Sequence, residues 1–210
     1  MEIAVLGTGS VGRTVSARLD ELGHTVTIGT RDPEATLTRA DHPQLPLATY
    51  ADAAARAELV VLAVSGEVAL DVLALAGADN LAGKALVDIS NPLDFSAGFP
   101  PTLLVKDTDS LGEQIQRAFP EARVVKTLNT LTASLMVHPE TLGSSSTVFV
   151  SGDDPSAKGM VTGLLAAMGH DDVIDLGGIE TARGTEMLMP VWLRLMQALG
   201  TGEFNFKIVR

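Results

Sequence analysis

The sequence runs to 210 residues with 46% hydrophobic content, ample for one large domain or a domain with a small appendage. Its 26 acidic residues outnumber 15 basic ones, and the net charge of −11 argues against nucleic acid or an anionic membrane as the main partner. The absence of cysteine excludes disulfides, a thiolate nucleophile and cysteine-based metal sites. No apolar run reaches the roughly 18 residues of a membrane span and no cationic leader precedes the first strand, so a cytoplasmic protein is expected.

In chain order, Glu2-Ile3-Ala4-Val5-Leu6 is a short apolar strand that ends in Gly7-Thr8-Gly9-Ser10-Val11-Gly12. A helix follows, with Val15, Leu19 and Leu22 on one side, and Thr25-Val26-Thr27-Ile28-Gly29 reads as a second strand. Strand, glycine loop, helix and strand make the first half of a dinucleotide-binding unit. Gly7 serves the tight turn, Gly9 the approach of a pyrophosphate, and Gly12 the close packing of helix on strand. The free N–H groups from about Ser10 and Val11 are expected to face the phosphates. An acid that binds the ribose 2′-hydroxyl of NAD usually follows the second strand, but Gly29-Thr30-Arg31 stands there instead. A hydroxyl and a guanidinium suit a 2′-phosphate, so NADPH is expected over NADH, with Asp32 before Pro33 starting a turn or capping a helix.

Farther along, a short helix or loop is expected near Glu34–Arg39, a short strand within Leu45–Thr49 and a helix over Ala51–Ala57. Leu59–Val64 is a continuous apolar run, as in a parallel strand covered on both faces, and stops at Ser65-Gly66. A helical period resumes at Glu67–Leu75, and the strand Ala85–Ile89 ends in Ser90-Asn91-Pro92. Residues 93–108 read as a long loop, Ser110–Phe119 as a helix and Arg123–Leu128 as a strand. A loop containing His138-Pro139 leads to a strand at Thr147–Val150, a helix from Pro155 to about Met168 and a strand at Asp172–Asp175. The alternation predicts an α/β protein of Rossmann type, doubly wound and mostly parallel, with a small C-terminal helical extension. The expected division is a dinucleotide-binding domain over 1–150 and, over 151–210, an α/β extension with an apolar helix packed on the same sheet.

Ligands of such sheets bind at the carboxyl ends of the strands. The candidate cofactor-binding residues are therefore Gly7, Thr8, Gly9, Ser10, Val11, Gly12, Thr30, Arg31, Val64, Ser65, Asn91 and Asn129. The last two offer amides for a carboxamide or a ribose, or else simply turn the chain. Asp88 is expected to bond to nearby loop backbone, and Lys126 reads as a strand lysine without a catalytic part. His24, His42, His138 and His170 lack ligand spacing, so surface or turn positions and no metal site are expected. Met187, Leu188, Val191, Leu195 and Leu199 recur at helical spacing within Thr181–Gly200, with Trp192 and Met196 adjoining. That stripe is core or an interface, and Pro190 bends or interrupts it. No Ser/His/Asp, Cys/His or tyrosine–lysine constellation is present, but hydride transfer between two heterocycles demands ring alignment more than an acid or base.

On these residues the chain resembles the F420-dependent NADP reductases (NADPH:coenzyme F420 oxidoreductases), whose second partner is an 8-hydroxy-5-deazaflavin. The resemblance rests on Gly7-Thr8-Gly9-Ser10-Val11-Gly12, on Gly29-Thr30-Arg31, and on a tail with Glu186, Pro190, Gly200-Thr201-Gly202 and Phe206-Lys207-Ile208. It implies NADP and coenzyme F420 as cofactors, with a flavin-type acceptor or another small redox molecule as alternatives. It also implies a homodimer that uses the C-terminal helix, with Leu188, Trp192 and Met196 near the interface. Asn129-Thr130 and Ser65-Gly66 stand where archaeal members tend to have His-Thr and Pro-Trp, and Val125–Thr130 looks closer to the cytosolic domain of ferric and cupric reductases. The alternative function is a non-catalytic NADPH-binding redox sensor or subunit. A β-hydroxyacid dehydrogenase relative is disfavoured, because too few residues follow the dinucleotide fold for its helical domain.

Overall fold

The computed structural model describes residues 1–210. The first half comprises β1 (Glu2–Leu6), α1 (Ser10–Glu21), β2 (Thr25–Thr30), α2 (Pro33–Leu37), β3 (Leu47–Thr49), α3 (Tyr50–Arg56), β4 (Leu59–Leu62), α4 (Ala69–Ala76), α5 (Ala78–Leu81) and β5 (Ala85–Asp88). The second half comprises β6 (Leu93–Asp94), β7 (Thr102–Leu103), α6 (Leu111–Ala118), β8 (Arg123–Thr127), α7 (Ala133–Val137), β9 (Thr147–Ser151), α8 (Pro155–Met168), β10 (Asp172–Gly177), α9 (Ala182–Met187) and α10 (Met189–Leu199). Eight strands form one sheet in the order β3-β2-β1-β4-β5-β8-β9-β10. All neighbours are parallel except β8 and β9, so the expected mostly parallel, doubly wound architecture is present.

The apolar strand runs follow from coverage on both faces. In β1, Ile3 and Val5 enter the core that α1, α7 and α8 cover, whereas Ala4 and Leu6 enter the core beneath α3, α4 and α6. In β4, Leu59 and Val61 face the first side and Val60 and Leu62 the second. A strand with two buried faces has no polar alternation to show. Leu86 of β5 and Val124 of β8 lie on the second side, so the period of two sends Asp88 and Lys126 to that side as well.

Four local readings change. The segment after β8 contains the helix α7 rather than only a loop, and residues 93–108 contain the small antiparallel pair β6–β7. His170 is no surface residue: it is buried, with Nε2 2.9 Å from the Met136 carbonyl oxygen, and burial holds its pKa below the ordinary value. Trp192 also lies inside its own chain, in a cluster with Met189, Leu193, Phe204 and Phe206. Its ring stacks on Phe204 at a centroid distance of 5.2 Å and an interplanar angle of 26°. The break between α9 and α10 falls at Leu188, where Pro190 has no N–H to continue the ladder.

Candidate functional site: a dinucleotide cleft over a buried charge cluster

The carboxyl ends of β1, β4 and β5 open into a cleft of about 530 Å³. Its lining includes Gly7, Thr8, Gly9, Ser10 and Val11 from the glycine loop, Ala63-Val64-Ser65 after β4, and Ile89-Ser90-Asn91 after β5. Leu131 and Met136 close one flank, while Tyr50, Glu67, Leu93 and Phe95 complete the wall.

The glycine loop is tight where packing requires it and open where a ligand would pass. A Cβ on Gly12 would collide with the Gly7 carbonyl, and Gly7 itself has φ +132° and no room before the Ala63 carbonyl. Around Gly9 an added Cβ would meet nothing within 4 Å. The start of α1 is left open toward the cleft. Asp32, Thr49, Ser110 and Asp154 each accept a backbone N–H at the start of α2, α3, α6 and α8. By contrast, α1 has no side-chain cap and no acidic residue in its first turn. Its N–H groups and positive dipole end are left facing the cleft, the arrangement that takes a phosphate.

Beyond β2 a smaller pocket of about 300 Å³ is lined by Thr8, Thr30, Arg31, Asp32, Ala35, Thr36, Arg39 and Tyr50. Thr30 Oγ1 lies 2.9 Å from Thr36 Oγ1, while Arg31 is exposed at the rim. Asp32 caps α2 by accepting from the Ala35 N–H at 2.9 Å, so it is occupied as a cap. Arg39 reaches back from the loop after α2 and donates to Thr8 Oγ1 at 3.0 Å, with Asp41 holding the same guanidinium at 3.0 Å through both carboxylate oxygens. The pocket thus carries two arginines, of which the sequence reading named only Arg31. Tyr50 was missed as well: it lines both the cleft and this pocket, and burial raises its phenol above the ordinary value against the lowering influence of Arg31. A basic residue eight positions past Arg31 and a lone tyrosine directly after a short strand were the available signals.

On the other side of the cleft, Asn91 and Asn129 form a reciprocal pair. Asn91 Nδ2 donates to the Asn129 carbonyl at 2.7 Å, and Asn129 Nδ2 donates to Asn91 Oδ1 at 3.0 Å and to the Thr185 carbonyl at 3.0 Å. Asn129 is therefore buried behind Asn91 rather than lining the cleft, because its amide nitrogen is spent on protein acceptors. Leu128, at φ +57°, makes the turn that swings Asn129 back, a left-handed conformation that costs a non-glycine residue about 1–2 kcal/mol. Gly66 is fixed by close approach, since a Cβ there would strike the Asn91 carbonyl, which accepts the Gly66 N–H at 3.1 Å.

Beneath this turn lies a charge cluster that the sequence did not announce. Asp88 and Lys126 are cross-strand neighbours, and both side chains are fully buried. Lys126 Nζ sits 2.8 Å from Asp88 Oδ2, 2.9 Å from Glu186 Oε1 and 2.7 Å from the Ser90 carbonyl, so its three N–H donors have three acceptors. Asp88 Oδ1 accepts from the Ser90 N–H at 2.9 Å and the Ser90 hydroxyl at 2.5 Å. The expected bond from Asp88 to loop backbone is present, but inside a larger network. Glu186 accepts from the Leu111 and Gly112 N–H groups at 2.8 and 3.0 Å, capping α6 from a distance of 74 or 75 residues in the chain. Burial by itself would lower the pKa of Lys126, yet the facing charges of Asp88 and Glu186 outweigh it and hold the ammonium above its ordinary value.

Against known proteins, the family described as NADP oxidoreductase, coenzyme F420-dependent, matches residues 2–92. Among solved structures, a protein from Arthrobacter sp. FB24, to which F420-dependent NADP-reductase function is attributed, is 63% identical over the full length of both chains with a TM-score of 0.97. The F420-dependent NADP reductase of Methanothermobacter marburgensis is 28% identical, over 93% of this chain and 92% of its own. Metalloreductase STEAP3 of Rattus norvegicus is 31% identical over 91% of this chain, which spans only 38% of that protein's length.

Proposed function

The chain belongs to the coenzyme F420-dependent NADP oxidoreductases, and from that premise we propose that it carries a hydride between NADPH and an 8-hydroxy-5-deazaflavin of the coenzyme F420 type. The cofactor half rests on one observation above all: α1, a helix of 12 residues that opens directly from the glycine loop into the cleft, starts with neither a side-chain cap nor an acidic first turn, beside an open Gly9. Ser10 and Val11 present the backbone N–H groups that would hold the pyrophosphate, with Gly7, Thr8 and Gly12 shaping the loop. Thr30 and Arg31, now joined by Arg39, would hold the 2′-phosphate, because planar guanidinium groups meet phosphate oxygens in bidentate fashion. Val64, Ser65 and Asn91 would face the nicotinamide end, with Asn129 supporting Asn91. When bound, the two ring systems supply the hydride donor and acceptor. The chain's part is to align them, and the apolar residues Leu131, Met136, Leu93 and Phe95 would exclude water around them. No general acid or base is needed for such a transfer.

The same reading includes a homodimer through the C-terminal helix. Its support is the apolar residues that α10 leaves exposed, Val191 and Leu199, on a helix whose inward face already packs against Leu93, Leu103, Phe204 and Phe206 of its own chain. No helix of the chain is long and apolar enough to cross a membrane. Mixing the protein with NADPH and either a deazaflavin or FMN, while following the nicotinamide absorbance, tests the function. Oxidation of NADPH with the deazaflavin is the expected result. Tight NADPH binding without turnover on either acceptor would instead favour a redox sensor.

A further inference from the structure

We propose that Lys126 is a positioning residue for the nicotinamide half of the cleft: held by Asp88 and Glu186, its ammonium fixes the Ser90–Asn91 turn and locks the C-terminal helices to the cleft floor. The inference rests on the NADPH reading above.

The geometry is specific. Lys126 donates to the Ser90 carbonyl at 2.7 Å, Asp88 takes both the N–H and the hydroxyl of the same Ser90, and Ser90 and Asn91 line the cleft. Glu186 brings α9 and the start of α6 to the same ammonium, and the adjoining Thr185 carbonyl takes the Asn129 amide that braces Asn91. Two consecutive residues of α9 thus reach the floor of the cleft by separate routes, one ionic and one through an amide. A purely structural ion pair would not need its third donor on the backbone of a cleft-lining residue. With both carboxylates ionised the cluster carries +1 against −2, a net buried charge of −1. Such an arrangement is costly to assemble and is of little advantage for stability over an apolar core of the same shape. What it supplies is a rigid support for a site on short loops, where small misplacement carries large functional cost. The adenine end lies across β1, at Thr30, Arg31 and Arg39, and shares none of these contacts.

That separation provides the test. Lys126→Met/Glu186→Gln keeps the net buried charge at −1, carried by Asp88 alone, while removing the ammonium from Ser90. Affinities for NADPH and for adenosine 2′,5′-bisphosphate, which lacks the nicotinamide half, are measured for wild type and variant. The expected result is unchanged affinity for the bisphosphate and a loss of about tenfold for NADPH, about 1.4 kcal/mol of binding free energy. Equal loss for both ligands, or no loss for either in a folded variant, would overturn the proposal. If that variant does not fold, Lys126→Gln/Glu186→Gln, whose amide keeps a donor near Asp88, is read by the same ratio. Failure of the wild type to bind NADPH or the bisphosphate would sink the cofactor reading instead, so the two failures are distinguishable.

Discussion

Gly9 and Gly12 lie three residues apart in the same loop and answer to opposite constraints. At Gly9 the backbone is extended, with φ −70° and ψ 179°, and a Cβ would enter open space. Gly9→Val is therefore expected to melt within a few degrees of wild type while losing NADPH binding measurably in a titration, because the branched side chain occupies the route of the pyrophosphate. At Gly12 the Cβ would strike the Gly7 carbonyl, so Gly12→Ala is expected to cost about 1–3 kcal/mol of stability in denaturant unfolding, as overpacked sites do. For Arg31→Ala the expected loss is about 1.5–3 kcal/mol of NADPH affinity, that of a charge-assisted hydrogen bond, with NADH little affected. Equal losses for the two nucleotides would remove Arg31 from the 2′-phosphate pocket. Lys126 shows how much one letter can conceal. Nothing in Val124-Val125-Lys126-Thr127 signals that the lysine is enclosed, since its two carboxylates stand 38 residues before and 60 residues after it in the chain. Lys126→Met alone leaves both carboxylates buried without a counter-charge and is expected to destabilise the protein by about 3–5 kcal/mol.

Strands and long helices follow from the sequence closely, because strands covered on both faces read as continuous apolar runs and the helices keep their period in the letters. The run Leu59–Val64 is two residues longer than β4, as Ala63 and Val64 stay apolar to line the cleft rather than to pair. The elements that escape notice are those too short to repeat a pattern: α7 has five residues, and β6 and β7 have two each. The final segment is fastened in a way that composition does not foretell. Asp172, at the start of β10, holds Lys207 at 2.8 Å and Arg210 at 2.9 Å, and accepts from Thr147 Oγ1 at 2.6 Å. Lys207 foremost, then the Thr147 hydroxyl, hold its carboxyl down to about 2 from an ordinary 3.8. A depressed carboxylate contributes its stabilisation above the unfolded value and loses it as pH falls through the folded one. Docking of residues 203–210 is accordingly expected to weaken between about pH 4 and about pH 2. Amide hydrogen exchange of Ile208, whose N–H is bonded to Thr147 Oγ1 at 3.0 Å, reads this directly. Asp172→Asn should remove the pH dependence, and an unchanged profile would show that other contacts hold the tail.

For the molecule as a whole, the half of the site that lies in one continuous stretch, Gly7–Gly12 and Thr30-Arg31, can be read from the letters, whereas the half assembled from distant strand ends cannot. Asn91 and Asn129 are visible as polar residues after apolar strands, but only the fold shows that one lines the cleft and the other braces it. The C-terminal helix presents the same difficulty on a larger scale. Its apolar residues are all visible, but which of them face the chain's own core is a matter of three-dimensional packing. Trp192, Met189 and Leu193 turn inward against Phe204 and Phe206, while Val191 is 51% and Leu199 57% exposed. Trp192→Asp would therefore break the protomer itself and could not report on association. Val191→Asp places a charge on the outward face with no loss of intrachain core, and burying that charge unpaired in an interface would be strongly unfavourable. In sedimentation across a dilution series, the wild type is expected to run as a dimer and Val191→Asp as a folded monomer. A wild type that remains monomeric at every concentration would end the dimer proposal, leaving Val191 and Leu199 as scattered surface apolar residues of the ordinary kind.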